Sequence, residues 1–151
     1  MVEVINRLVK RLKIEFVLVW VLVLLLVVFY ETGLLDEGIF VGNVRMDYIL
    51  MTVGILLTIT TIPLSLHLFN FNLLKRISKL STFEALKSYR YWSEVRLSLL
   101  LVAALLNMSF YYLTLNTTGL FCSLMALLAT FFCIPSKKRL LKELNLDDIS
   151  I

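Results

Sequence analysis

Residues 16–30 read FVLVWVLVLLLVVFY, fifteen positions without a charge. At about 1.5 Å per residue such a helix is about 22 Å long. A helix that crosses a bilayer needs about 20 mostly apolar residues. The run therefore borrows from Leu12 to Glu15, whose interfacial side chains can snorkel. Three further apolar runs follow, Tyr48 to Phe69, Leu97 to Leu115 and Leu120 to Ile134, and the last borrows Thr117 to Gly119. The spans predicted from these runs are about 14–30, 48–69, 97–115 and 118–134. Composition agrees. The chain is 60% hydrophobic and 17% charged, against about 45–50% and about 25% for soluble domains. Mean hydropathy is +0.89. These values exclude a disordered chain, a DNA-binding domain and a disulfide scaffold. They predict an all-α integral membrane four-helix bundle, a single membrane domain over 1–151.

Charge predicts the orientation. Arg7, Lys10, Arg11 and Lys13 precede the first span. Lys75, Arg76, Lys79, Lys87, Arg90 and Arg96 lie between the second and third. Lys137, Lys138, Arg139 and Lys142 follow the fourth. Only Arg45, beside Glu31, Asp36, Glu37 and Asp47, falls on the opposite face, so four spans place 14 of 15 positive residues on one side. Positive residues mark the cytoplasmic side. Both termini and the connection before residue 97 are therefore expected inside. The basic start followed by an apolar run also suits a signal peptide, but Phe29-Tyr30-Glu31-Thr32-Gly33 offers no small-residue cleavage site. A retained signal anchor is the expectation.

The cytoplasmic segment 71–96 reads as helical. Ser81-Thr82-Phe83-Glu84 has capping-box spacing, with Ser81 at the N-cap, and a helix starting there runs on into the third span. Phe83, Tyr89, Tyr91 and Trp92 among Lys87, Arg90 and Arg96 make an interfacial belt. Before it, Leu73, Leu74, Ile77 and Leu80 oppose Lys75, Arg76 and Lys79. That amphipathic stretch suits anionic lipid at the inner leaflet, or a docking partner. The tail 135–151 follows Pro135, which ends the fourth span, and Lys137 to Leu144 reads as a short amphipathic anchor. On the outer side, Asn116-Thr117-Thr118 matches a glycosylation sequon, yet so tight a turn suits helix capping better.

Lipid is as apolar as leucine, so helices in a membrane associate through close packing and interhelical hydrogen bonds. Small residues mark the candidate seams. Gly54, Thr58, Thr61 and Ser65 share one helical face; so do Gly119, Ser123, Ala126, Thr130 and Cys133; so do Ala103, Asn107, Tyr111 and Thr114. These stripes are expected to face one another, while the first span, built of Val, Leu, Phe and Trp, lies more open to lipid. Pro63 predicts a kink near 59–63, compensated by Thr60 or neighbouring hydroxyls, which serves as shape or as a hinge.

Candidates for chemistry are few. Glu15 and His67 share the predicted inner depth and form a candidate polar pair. Asn107 is the main polar group at mid-membrane. A proton-coupled carrier needs a titratable relay at depth. Small multidrug transporters carry a membrane-centred glutamate, whereas Glu15 lies at the edge. There is no HExxH and no CxxC, and Cys122 and Cys133 lie about 16 Å apart along one helix, beyond bridging distance. No cofactor, metal site or nucleic-acid partner is expected.

The runs Phe29-Tyr30-Glu31-Thr32-Gly33, Gly54-Ile55-Leu56-Leu57-Thr58, Tyr91-Trp92-Ser93-Glu94-Val95-Arg96, Leu115-Asn116-Thr117-Thr118-Gly119 and Cys133-Ile134-Pro135 with Lys138-Arg139-Leu140 resemble a family of small four-span bacterial inner-membrane proteins of no known activity. The resemblance covers nearly the whole chain and implies a bacterial inner membrane. It carries over no catalytic residue. The expected function is that of a non-enzymatic interaction or accessory subunit, contacting lipid or a partner through Lys75, Arg76, Lys79 and Trp92, or assembling with itself. The alternative is an oligomeric channel or carrier for a small solute, its path lined by Thr58, Thr61, Ser65 and Asn107. A third reading is a lipid-modifying enzyme using Glu15 and His67.

Overall fold

The computed structural model describes residues 2–77, 82–134 and 138, without the side chains of 2, 68–77 and 82. Ser81, Lys79 and the tail helix expected over 137–144 fall outside the described residues, apart from Lys138. Four helices follow in order: α1 Val2–Glu31, α2 Val44–Ile77, α3 Thr82–Thr114 and α4 Thr117–Phe131. Among the described residues there is no strand.

Three of the four, α1, α2 and α3, contain stretches long and apolar enough to cross a membrane. α4 is apolar but has only 15 residues, about 22 Å against a hydrocarbon core of about 30 Å. It stops at Phe131, three residues short of the predicted limit, and Phe132 to Ile134 continue in turns. The other helices overrun their predicted spans. α1 includes the basic residues from Arg7 to Lys13, and α3 runs unbroken from the 82–96 segment into the apolar stretch.

α3 packs against each of the other three helices. Its contacts give the directions. Ile5, Val9 and Leu12 cluster with Ala85, Leu86 and Tyr89, Val19 clusters with Leu97 and Leu100, and Tyr30 stacks on Tyr112 at 4.4 Å. α1 and α3 are therefore parallel. Asp47 meets Asn116 beyond the end of α3 while Thr58 bonds Asn107 further back, and Gly119 lies against Tyr111 while Ser123 bonds the Ala104 carbonyl, so α2 and α4 run antiparallel to α3. The result is an up-down-up-down bundle.

Caps define one end. Asn43 accepts from the Met46 amide at the start of α2, and Asn116 accepts from the Thr118 amide at the start of α4, the N-cap role that suits both asparagines. Asn116 also donates to Asp47 at 3.1 Å, tying the two caps together. Leu115 ends α3 in the left-handed region, at φ 53°. The loop between α1 and α2 closes the same end. The amides of Gly38 and Phe40 donate to the Tyr112 and Leu113 carbonyls at 2.7 and 3.1 Å, satisfying acceptors that a helix C-terminus leaves open. Gly38 makes its contact at φ +69°, a conformation that favours glycine. Tyr112 donates to Glu31 at 3.0 Å, joining α3 to the end of α1.

Candidate functional site

Among the described residues, two places between the helices bear on the predicted site residues. The first is a close-packed seam between α2, α3 and α4. Asn107, fully buried, donates through Nδ2 to Thr58 Oγ1 and to the Ala103 carbonyl, each at 2.9 Å. Glycine makes the approach possible. A Cβ on Gly54 would lie 2.5 Å from Asn107 Oδ1, and one on Gly119 would lie 2.9 Å from the backbone O of Asn107 and N of Tyr111. Thr58, Thr61, Ser65, Ser123 and Thr130 are buried around this seam. The hydroxyls of Thr58, Ser65 and Thr130 donate to carbonyls of their own helices, and Ser123 donates across to α3 at 3.2 Å. Pro63 is exposed on the opposite side. Its missing amide would have met the Ile59 carbonyl, yet Thr60 donates to Leu56 and Leu57 instead.

The second place is a groove of about 410 Å³ between α1 and α3. Its charged end holds Arg11, Glu15, Arg90 and Glu94, and its apolar end includes Leu18 and Leu101. Arg90 Nε donates to Glu94 Oε1 at 2.7 Å, with both side chains about one-third exposed. The carboxyl groups of Glu15 and Glu94 adjoin across the groove, with Arg90 and Arg11 nearby. The surroundings of Glu15 thus come from α3 and from its own helix. His67, exposed near the far end of the apolar stretch of α2, is not among the groups around Glu15 in the described residues.

Lys75 and Arg76 lie on the helical continuation of α2. Trp92 is half-buried, packed against the cluster that joins the start of α1 to α3, with Tyr91 edge-on to it and exposed. Arg96, one of the basic residues of the predicted belt, is only 5% exposed and lines a small cleft with Leu12, Phe16, Tyr89, Ser93 and Cys133. The free thiols are separate, Cys122 half-buried and Cys133 buried. Among the described residues no group of three His, Cys, Asp or Glu is placed to hold a metal ion.

Sequence reasoning passed over the groove. Its signal was present as a repeated spacing, Arg11-x-x-x-Glu15 and Arg90-x-x-x-Glu94. What the sequence lacked was the parallel pairing of α1 with α3, which brings the two motifs level. Comparison with protein-family models, curated proteins and solved structures finds no match for the chain.

Proposed function

We propose that the chain is a four-span protein of the bacterial inner membrane, with both termini and the 71–96 segment cytoplasmic. In this reading it acts as a non-enzymatic interaction or accessory subunit through that segment. α4 serves as the short fourth span, its ends extended by the Asn116 cap and by Phe132 to Ile134. The orientation follows the one-sided distribution of Lys and Arg.

The observation that carries the reading is helix continuity. α2 runs on to Ile77 and α3 starts at Thr82, so Lys75, Arg76, Lys87 and Arg90 lie on helical continuations of two apolar stretches. Phe83 and Tyr91 stand exposed on the α3 extension, and exposed aromatics beside basic residues suit both lipid headgroups and an interface hot spot. The polar groups of the seam support the same reading. Asn107 and Thr58 bond each other, which favours a packed joint over a solute path within one chain.

The test is charge reversal at Lys75, Arg76 and Lys79, with recovery of co-purifying protein from membranes measured by mass spectrometry. Reversal of three charges at an anionic or acidic surface is expected to lower recovery at least about tenfold, since each basic residue there contributes about 1 kcal/mol. Unchanged recovery, in protein that still inserts, removes the segment from the function.

A further inference from the structure

We propose that the loop between α1 and α2 lies in the outer leaflet of the bilayer. Ile39 and Val41 of the loop, with Leu115 beside them, are set among lipid at the boundary of headgroups and acyl chains. The inference rests on the four-span reading given above, and not on the partner assigned to the 71–96 segment. It follows from helix length, from the hydrogen bonds of the loop and from what the loop leaves uncovered.

Length sets the depth. The charge-free part of α3 runs from Leu97 to Thr114, about 27 Å of helix. That of α1 runs from Phe16 to Tyr30, about 22 Å. The 15 residues of α4 reach no further. A hydrocarbon core is about 30 Å thick. Toward the inner end α1 and α3 meet charge at once, at Glu15 and Arg96. The hydrocarbon that these helices leave uncovered is therefore met at the outer end, by the turns. Without apolar side chains there, helices this short require the bilayer to thin.

The backbone suits that depth. Irregular chain in a membrane is tolerated only where protein satisfies its polar groups. The Gly38 amide donates to the Tyr112 carbonyl at 2.7 Å, and the Phe40 amide to the Leu113 carbonyl at 3.1 Å. The Val41 and Asn43 amides donate to the Gly38 and Phe40 carbonyls, each at 3.1 Å. These bonds seat the loop on the end of α3. Tyr30 stacks on Tyr112 at the same end, with Tyr111 edge-on to Tyr112, and tyrosines collect at membrane interfaces. Two carboxylates nearby are held by donors, Glu31 by Tyr112 at 3.0 Å and Asp47 by Asn116 at 3.1 Å.

What stays uncovered is apolar. From Gly38 to Val44 the loop carries no charge, while Asp36 and Glu37 precede this stretch and Arg45 follows it. Those three flanking residues are exposed, free to meet headgroups and water. Ile39, Val41 and Leu115 are each more than half exposed. A Cβ on Gly38 would lie 3.2 Å from Val41 Cγ2 and 3.6 Å from Leu115 Cδ1, so the valine and the leucine border one glycine. Three side chains are far fewer than the about 20–30 residues that each side of a stable protein interface uses. Lipid sets no such minimum.

The experiment places a nitroxide at Ile39→Cys, Val41→Cys, Asp36→Cys or Leu24→Cys, one at a time, in a chain carrying Cys122→Ser and Cys133→Ser. The protein is reconstituted in vesicles of phosphatidylethanolamine and phosphatidylglycerol. Collision with oxygen, and with a water-soluble nickel chelate present on both sides, is read by electron paramagnetic resonance. Labels at 39 and 41 are expected about 5–10 Å inside the phosphates, where interfacial apolar groups settle, and to favour oxygen. The label at 36 is expected to favour nickel. Nickel access at 39 and 41 equal to that at 36 overturns the proposal, because the loop is then in water. Low access of both reagents at 39 and 41 overturns it too, since a protein partner or a second copy then covers the patch. The label at 24 separates this result from the four-span reading. Oxygen access there with a wet loop defeats the loop proposal alone, whereas nickel access there defeats both. Lipid carrying a diazirine high on its acyl chain gives a second measurement on the unaltered chain, which decides the matter where the thiol-free chain fails to fold. Adducts at 39–41 are expected beside those on α1, and adducts on α1 alone overturn the proposal.

Discussion

α3 has two kinds of neighbour, and they hold it differently. On one side α2 and α4 approach so closely that Gly54 and Gly119 have no room for a methyl group. On the other, α1 carries no Gly, Ala, Ser or Thr between Val2 and Glu31 and meets α3 through larger side chains such as Val19, Val23 and Tyr30. The first contact is continuous and hydrogen-bonded. The second leaves the open groove at Glu15 and Glu94. In lipid, where apolar burial gives helices little reason to associate, the small residues determine which contacts are tight. The exposed faces say the same: α1 leaves Ile14, Val17, Leu18, Val21, Leu24 and Val28 uncovered, a surface for acyl chains.

Substituting Gly119 is the most direct way to break the difference. A Cβ there meets backbone atoms of Asn107 and Tyr111 at 2.9 Å, and backbone cannot yield without separating α3 from α4. Gly119→Ala is expected to cost about 2–3 kcal/mol, at the upper end for overpacking. Gly54→Ala is expected to cost less, because its nearest neighbour is the Asn107 side-chain amide at 2.5 Å, which can turn away at the expense of its bond to Thr58. Reversible unfolding in mixed micelles, followed by circular dichroism, ranks the two. Equal costs would mean that the α3–α4 backbone contact is looser than its geometry implies.

The hydrogen bond itself is the next largest effect. A double-mutant cycle of Asn107→Ala and Thr58→Ala isolates it from the cavity each change leaves. The coupling is expected near 0.6 kcal/mol and no more than about 1.7, the range of interhelical bonds in a membrane. The same unfolding assay reads it. A coupling near zero would leave close packing, with the Ser123 bond to the Ala104 carbonyl, as the seam's advantage over the α1 flank.

The seam was legible because small and polar residues at i, i+4 and i+7 stand out against leucine, and Asn116 was legible as a cap from its position in a four-residue turn. Hydropathy reads depth well. It does not read which helix lies beside which, and the remaining differences follow from that. Glu15 and His67 share a predicted depth, but the groups around Glu15 come from α3 because α3, and not α2, is the main neighbour of α1. Arg96 sits at an interfacial depth and looks like an exposed cation until its helix face is known; that face turns inward toward Leu12 and Phe16. The start of α3 near Thr82 and its run into the apolar stretch were legible from the spacing of Ser81 and Glu84. The early start of α1 was not, because its extension is polar outside and its pairing through Ile5, Val9, Leu86 and Tyr89 is long-range in sequence.

The smallest effect sharpens the comparison from the α1 side. Leu24 is 60% exposed, whereas Val23, one position earlier, is 2% exposed and packs with Ala103 and Ala126. In water, truncating an exposed leucine and a buried valine would both perturb hydration. In a bilayer, Leu24→Ala only exchanges side-chain contacts with acyl chains for closer acyl chains, and a change within about 0.5 kcal/mol is expected, as at any surface site without a special role. Val23→Ala removes packing that lipid cannot replace and is expected to cost about 1 kcal/mol, near the centre for point substitutions. Measured together in lipid bicelles, the two give a difference that reports how much of α1 is held by α3. If Leu24→Ala costs as much as Val23→Ala, the outer face of α1 is covered by protein and not by lipid. The flank would then be a second seam, completed by another chain.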